Sequence, residues 1–189
     1  MSRKNEGFYS VHSDFLELKR TQHHSVSLTF IGDVGVGKTT FIEAYGNRRP
    51  IQTLHIGDNT IDVHIMDTEN IQHHEEVLRV WYKMTSLLVL CYDMTDSISL
   101  DNIAQLWMDN DHLNSESPII LLGTKLDLVE DMALATIRGH EMKQFIKAED
   151  VIFTSTIQKI GLDEFKECLV RILGKKLVVP ERKPRFFCF

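Results

Sequence analysis

Gly32-Asp33-Val34-Gly35-Val36-Gly37-Lys38-Thr39 is the stretch whose reading decides the fold. These eight residues satisfy the pattern G-x-x-x-x-G-K-S/T in full. They stand between an apolar run, residues 25–31, and a stretch of helical spacing, residues 39–45. Strand, glycine-rich loop and helix in that order gather backbone N–H groups and the positive end of a helix dipole around one point, where phosphate oxygens are stabilised. In this reading Gly32, Gly35 and Gly37 let the main chain approach the phosphates, and Asp33, Val34, Val36 and Thr40 add backbone donors along the loop and first helical turn. Lys38 is the catalytic cation set against the β and γ oxygens, and the Thr39 hydroxyl is a ligand for Mg²⁺. The chain is expected to bind a nucleoside phosphate.

Outward from the loop, strand-like runs alternate with helical patterns, the signature of an α/β domain with a mostly parallel sheet covered on both faces. Residues 51–56 and 60–66 flank the turn cluster Gly57-Asp58-Asn59, so these two strands are predicted to be antiparallel neighbours, with Asp67 at a strand end. The short uninterrupted apolar runs at 86–92 and 119–123, and a weaker one at 151–154, predict strands buried on both faces. Helical spacing appears at 98–108, 132–146 and 162–173. The expected organisation is an N-terminal extension, residues 1–24, one domain over residues 25–174, and a tail over residues 175–189 that carries Pro180 and Pro184.

A length of 189 residues, 43% of them hydrophobic, suits one domain with a substantial core. The formal net charge of −6 argues against nucleic-acid binding, which needs clustered Lys and Arg. Cys91, Cys168 and Cys188 are widely spaced, and the first two fall in apolar runs, so they read as buried thiols of a reducing compartment. No stretch has the roughly 20 apolar residues needed to span a bilayer, and the start of the chain lacks a signal-peptide pattern. The expectation is a cytoplasmic protein.

A phosphate loop alone does not choose the base. The choice rests on Thr124-Lys125-Leu126-Asp127, directly after an apolar strand. Guanine presents a ring N–H and an exocyclic amine side by side, and the Asp127 carboxylate can accept from both; adenine offers no such pair. A site built around such a hydrogen-bonding group rejects analogues lacking it by about 10⁴–10⁵. Lys125 can lay its aliphatic stem along the purine face. This tetrapeptide resembles the N/T-K-x-D motif of the Ras superfamily. Phe153-Thr154-Ser155-Thr156-Ile157 is similar to the family's last guanine-contacting loop, and Asp67-Thr68 to the start of its D-x-x-G motif. The spacing from Asp67 to Tyr92-Asp93-Met94-Thr95-Asp96, with Trp81-Tyr82-Lys83 between, is similar to the Rab branch, and Gly123–Leu128 to the Rho branch. The resemblance covers about residues 25–174 and identifies an atypical Rab-like small GTPase. It implies a mixed, mostly parallel six-stranded sheet with helices on both faces, and GTP or GDP with Mg²⁺ as ligands. By the same resemblance Thr39 and Asp67 stand at the metal, and Ser155, Thr156 and Ile157 at the base.

The chain also departs from the family. Only 28 residues separate Thr39 from Asp67, fewer than the resemblance implies, and the missing stretch is the first switch. No threonine stands where the family has its γ-phosphate sensor; Thr53 is the nearest, and the hairpin register makes it a strand residue. Where Rabs carry D-T-A-G-Q this chain has Asp67-Thr68-Glu69-Asn70-Ile71. Ile71 can neither donate nor accept a hydrogen bond, so it cannot orient an attacking water, and slow hydrolysis is expected. Gln72, His73, His74, Glu75 and Glu76 read as the solvated start of a helix, and adjacent His73 and His74 diverge on it, which argues against a zinc site. The ending Phe186-Phe187-Cys188-Phe189 does not fit C-a-a-X, which argues against prenylation. Lys175, Lys176, Arg182, Lys183 and Arg185 beside the phenylalanines leave two readings, a disordered solvated tail, which is favoured, and a weak contact with an anionic membrane surface.

Two further readings compete with a slow GTPase acting in membrane traffic or signalling. One is a pseudo-GTPase scaffold that binds partners without switching, motivated by the shortened switch and Ile71. The other is an ATP-dependent kinase, for which no acceptor site or lid arginines are evident. The sequence names no effector, exchange factor or activating protein.

Overall fold

The computed structural model of the chain describes residues 22–46, 49–68, 75–107 and 117–178. Six strands form one sheet in the order β2-β3-β1-β4-β5-β6. They are β1 (Gln22–Ile31), β2 (Ile51–Ile56), β3 (Asn59–Asp67), β4 (Leu87–Asp93), β5 (Ile119–Thr124) and β6 (Asp150–Phe153). All neighbours are parallel except β2 and β3, which pair antiparallel with Ile56 opposite Asn59 across the Gly57-Asp58 turn. The mixed, mostly parallel sheet is therefore as expected.

Helices cover both faces. α1 (Lys38–Gly46) and α5 (Leu162–Val178) lie on one, α2 (Glu75–Met84), α3 (Ser97–Asn102) and α4 (Met132–Phe145) on the other. Strand β4 explains why its sequence shows no alternation. Leu87, Val89 and Cys91 pack with Phe41, Phe165 and Leu169, whereas Leu88, Leu90 and Tyr92 pack with Tyr82, Leu100 and Ile103, so every position is buried. Phe30, Phe41, Tyr45 and Phe165 form an aromatic cluster under α1 and α5, with Phe41 and Phe165 edge-to-face at 5.0 Å. Cys91 and Cys168 are buried thiols, as read.

Several boundaries differ from expectation. β1 starts at Gln22 because its pairing with β3 continues to Asn59 through polar, exposed residues that carry no hydrophobic alternation. The helix expected over 98–108 is α3 followed by a π-helical segment, Ile103–Trp107. α5 runs on past residue 173 because Gly174 does not stop it, and Lys176 Nζ donates to Ser86 O at 2.6 Å. α2 was legible only as a helix start. Glu69, Asn70, Ile71, Gln72, His73 and His74, residues 1–21 and the tail from residue 179 lie outside the described residues. Among the described helices none is long and apolar enough to cross a membrane.

The carboxyl ends of β1, β3, β4, β5 and β6 point to one edge of the sheet, where neighbours of β1 diverge in chain order. Ligands of open α/β sheets bind at such a point.

Candidate functional site

The phosphate loop leaves β1 at Gly32. This residue has φ +152°, and a Cβ there would lie 2.1 Å from the Cys91 carbonyl oxygen, so the loop presses against β4 only because the side chain is absent. Gly37, at φ +97°, hands the loop to α1. Between them Val34 and Gly35 are exposed at the tip and Val36 is buried. Lys38 is fully buried and turns back over the loop, its Nζ donating to Gly32 O at 3.0 Å and to Asp33 O at 2.7 Å. Thr39 and Thr40 are exposed in the first turn of α1. The Thr39 hydroxyl donates to Asp67 Oδ2 at 2.5 Å, so two oxygen donors 28 residues apart meet at the carboxyl end of β3. A neutral hydroxyl beside a carboxylate is a donor set that suits a hard cation such as Mg²⁺.

The loop is held by residues that sequence reading missed. Asp33 accepts from Asn102 Nδ2 at 2.7 Å and from Trp107 Nε1 at 3.0 Å, which ties the phosphate loop to the end of α3 and the π-helical segment. These partners are 69 and 74 residues away, and no short-range signal marks them.

At the other end, Thr124 closes β5. Its buried hydroxyl lies 2.5 Å from Val36 O and 3.0 Å from Tyr92 O, bridging the base motif to the phosphate loop. Lys125 adopts a left-handed conformation, φ +57°, which a residue with a Cβ rarely adopts without a compensating contact. That contact is Asp93, whose Oδ2 is 2.7 Å from Lys125 Nζ. Burial pushes the Asp93 carboxyl up, but hydrogen bonds from Lys125 and Thr95 outweigh it and hold the group below its ordinary range. Asp127 sits in the 3₁₀ turn Leu126–Leu128, where its Oδ1 accepts from Ser155 Oγ at 2.5 Å. The Ser155 oxygen also accepts from Gln158 N at 3.1 Å, and Leu126 N donates to Thr154 O at 3.0 Å, so the loops after β5 and β6 are one unit. Thr156 is half-buried, whereas Ile157 is exposed on the loop surface.

All the candidate residues thus stand on one edge in two clusters, Gly32 to Thr40 with Asp67 and Thr124 to Asp127 with Ser155 to Ile157, linked by the Thr124–Val36 bond. A sequence model of the Ras family matches residues 27–174. The chain belongs to the Ras family. This Ras-family protein is 29% identical over 178 residues to "Rho-related protein racC" of Entamoeba histolytica, covering 80% of the chain and 92% of the relative. It is 26% identical over 164 residues to "Rho-related GTP-binding protein RhoD" of Homo sapiens, covering 78% and 76%. It is 28% identical over 140 residues to the human "Ras-related protein Rab-8B", covering 66% and 67%. Relatives named for both the Rho and the Rab branches agree with the mixed resemblance of the motifs. The chain is a small GTP-binding protein of this family.

Proposed function

We propose that this Ras-family protein binds GDP and GTP with Mg²⁺ as a near-constitutive ligand, discriminates little between them through its first switch, and hydrolyses GTP slowly. The observation that carries the reading is the linkage of a phosphate cluster and a base cluster through the Thr124 hydroxyl and Val36 O, 2.5 Å apart. In this reading the loop from Gly32 to Thr40 holds the phosphates, with Lys38 balancing their charge. Asp127 accepts from the guanine ring N–H and exocyclic amine while Ser155 holds its Oδ1, and Lys125 covers the purine face. The backbone of Ser155, Thr156 and Ile157 frames the base. Thr39 and Asp67 are the residues that would hold Mg²⁺, which would supply positive charge against the phosphates.

Weak switching is supported by the connection between α1 and β2. α1 ends at Gly46 and β2 begins at Ile51, so only four residues, 47–50, intervene. Four extended residues span at most about 14 Å. The turn is also tied down: Arg49 N and Gln52 Nε2 both donate to Gly46 O, at 2.9 and 2.8 Å, and Ile65 N donates to Pro50 O at 2.8 Å. Pro50 therefore lies level with Ile65, two residues short of Asp67. Four residues are too few to form a loop that a γ-phosphate orders and that is released on its loss. Slow hydrolysis follows from Ile71, whose side chain has no group to orient water.

The scaffold reading, in which partners bind without any nucleotide switch, draws on the same four-residue connection. Chromatography of the nucleotide released from heat-denatured protein, together with affinities for GDP and a non-hydrolysable GTP analogue, tests both. Co-purified guanine nucleotide with GDP and analogue affinities within about tenfold supports the proposal. A difference of about a hundredfold or more means a working switch, and an empty, non-binding protein leaves the scaffold alone.

A further inference from the structure

Helix α4 is a surface helix with the wrong composition for solvent. Of its fourteen residues only Gly139 is fully buried, yet Met132, Leu134, Ile137 and Phe145 are exposed, Phe145 to 72%. Leu134, Ile137, Glu141 and Phe145 follow one another at three- and four-residue steps, so they share a face. A helix that is apolar both toward the core and away from it has a second partner to bury against. Alongside this face runs a groove between α3 and α4. Two hollows of about 430 and 500 Å³ share Ser97, Leu100 and Arg138 and together extend from Leu128 to Phe145. On α3, Ile98 is also 67% exposed.

The charge around the groove is one-sided. Asp96, Asp101, Glu130, Asp131 and Glu141 line it, and among the described lining residues Arg138 is the one cation. Asp96 and Asp131 also serve as helix caps, accepting from Ile98 N at 2.9 Å and Leu134 N at 3.0 Å. Leu100, Leu128, Leu134 and Phe145 beside an acidic rim complement a helix that carries an apolar stripe flanked by Lys and Arg. From Leu134 to Phe145 the α4 wall of the groove is about 16 Å long, which matches about three helical turns. We propose that the α3–α4 groove is a docking site for a basic amphipathic helix of a partner protein. The site is independent of the nucleotide reading, since none of its apolar contacts belongs to the phosphate loop or the base motif.

The test uses the full chain and a fluorescein-labelled 18-residue helix of Leu and Lys with all Lys on one side, followed by anisotropy at physiological salt. Saturable one-to-one binding is expected. Leu134→Asp and, separately, Phe145→Asp each weaken it at least tenfold, as does Glu130→Lys with Glu141→Lys. Glu164→Lys with Glu167→Lys on α5, the same change of net charge on the opposite face, leaves affinity within twofold. All six positions are solvent-accessible, so the fold is expected to persist, and circular dichroism checks it. Equal losses from the α5 pair, equal binding of a Leu–Glu helix, or no binding at all overturns the proposal. A concentration-dependent dimer abolished by Phe145→Asp assigns the groove to a second copy. Tenfold tighter peptide binding after Phe186→Ser with Phe187→Ser assigns it to the chain's own tail. Either result also overturns it.

Discussion

Replacing Thr124 by valine probes the link between the two halves of the site. The Thr124 side chain is 4% exposed, and its one hydroxyl proton serves Val36 O at 2.5 Å while Tyr92 O lies 3.0 Å away. Valine keeps the shape but puts a methyl group where the oxygen was. Carbon approaches a carbonyl oxygen no closer than about 3.3 Å, so Val36 must retreat by roughly 0.8 Å. The carbonyl left behind in a dry environment costs about 1–3 kcal/mol. For a chain of this size each kcal/mol moves Tm by about 2–4 °C, so the variant should melt roughly 2–12 °C lower by calorimetry. Because Val36 belongs to the phosphate loop, GDP should bind about tenfold more weakly, an expected loss of about 1.4 kcal/mol. Thr124→Ser, which keeps the hydroxyl, should recover most of both losses. A Thr124→Val protein with Tm and GDP affinity within error of the parent would refute the coupling.

Four other outcomes follow from named contacts. Asp127→Asn should shift preference from guanosine toward xanthosine diphosphate, whose extra carbonyl complements an amide donor; unchanged preference in competitive titration would remove Asp127 from the base site. Asp93 has a folded-state pKa held below the ordinary 3.8, so its contribution is complete above about pH 4 and is lost as pH falls through the lowered value. Lys125→Met should therefore raise the pH of acid unfolding, and coincident acid transitions would contradict this. Trp107→Phe removes an N–H donated to the Asp33 carboxylate and should cost about 1.5–3 kcal/mol in urea unfolding, with an m-value unchanged. Gly32→Ala would drive a methyl group to 2.1 Å from Cys91 O and should abolish soluble folded protein, judged by near-ultraviolet dichroism.

Most of the sheet was legible because its chemistry is local. The run from Leu87 to Asp93 has to be buried on both faces to satisfy its own side chains, and the Gly57-Asp58 turn sets the β2–β3 register. The phosphate loop and Thr124–Asp127 were legible for the same reason, each being a short segment whose backbone and side chains act together. What escaped depends on contacts between distant residues. Asn102 and Trp107 meet Asp33 only after α3 has packed on β4, and Asp93 is drawn to Lys125 by the left-handed turn that follows β5. The ends of β1 and α5 escaped because polar residues prolong both through tertiary contacts, Gln22 against Asn59 and Lys176 against Ser86. The short connection after α1 was countable in the sequence, but the bonds from Arg49 and Gln52 to Gly46 were not.

The central claim is that the two clusters form one guanine-nucleotide site, and the most direct measurement is calorimetric titration of GDP, GTP and ATP into nucleotide-stripped protein with Mg²⁺. One-to-one binding of both guanine nucleotides, with ATP weaker by about 10⁴, is the predicted result. ATP binding as tight as GDP, or no binding of any of the three, would contradict it.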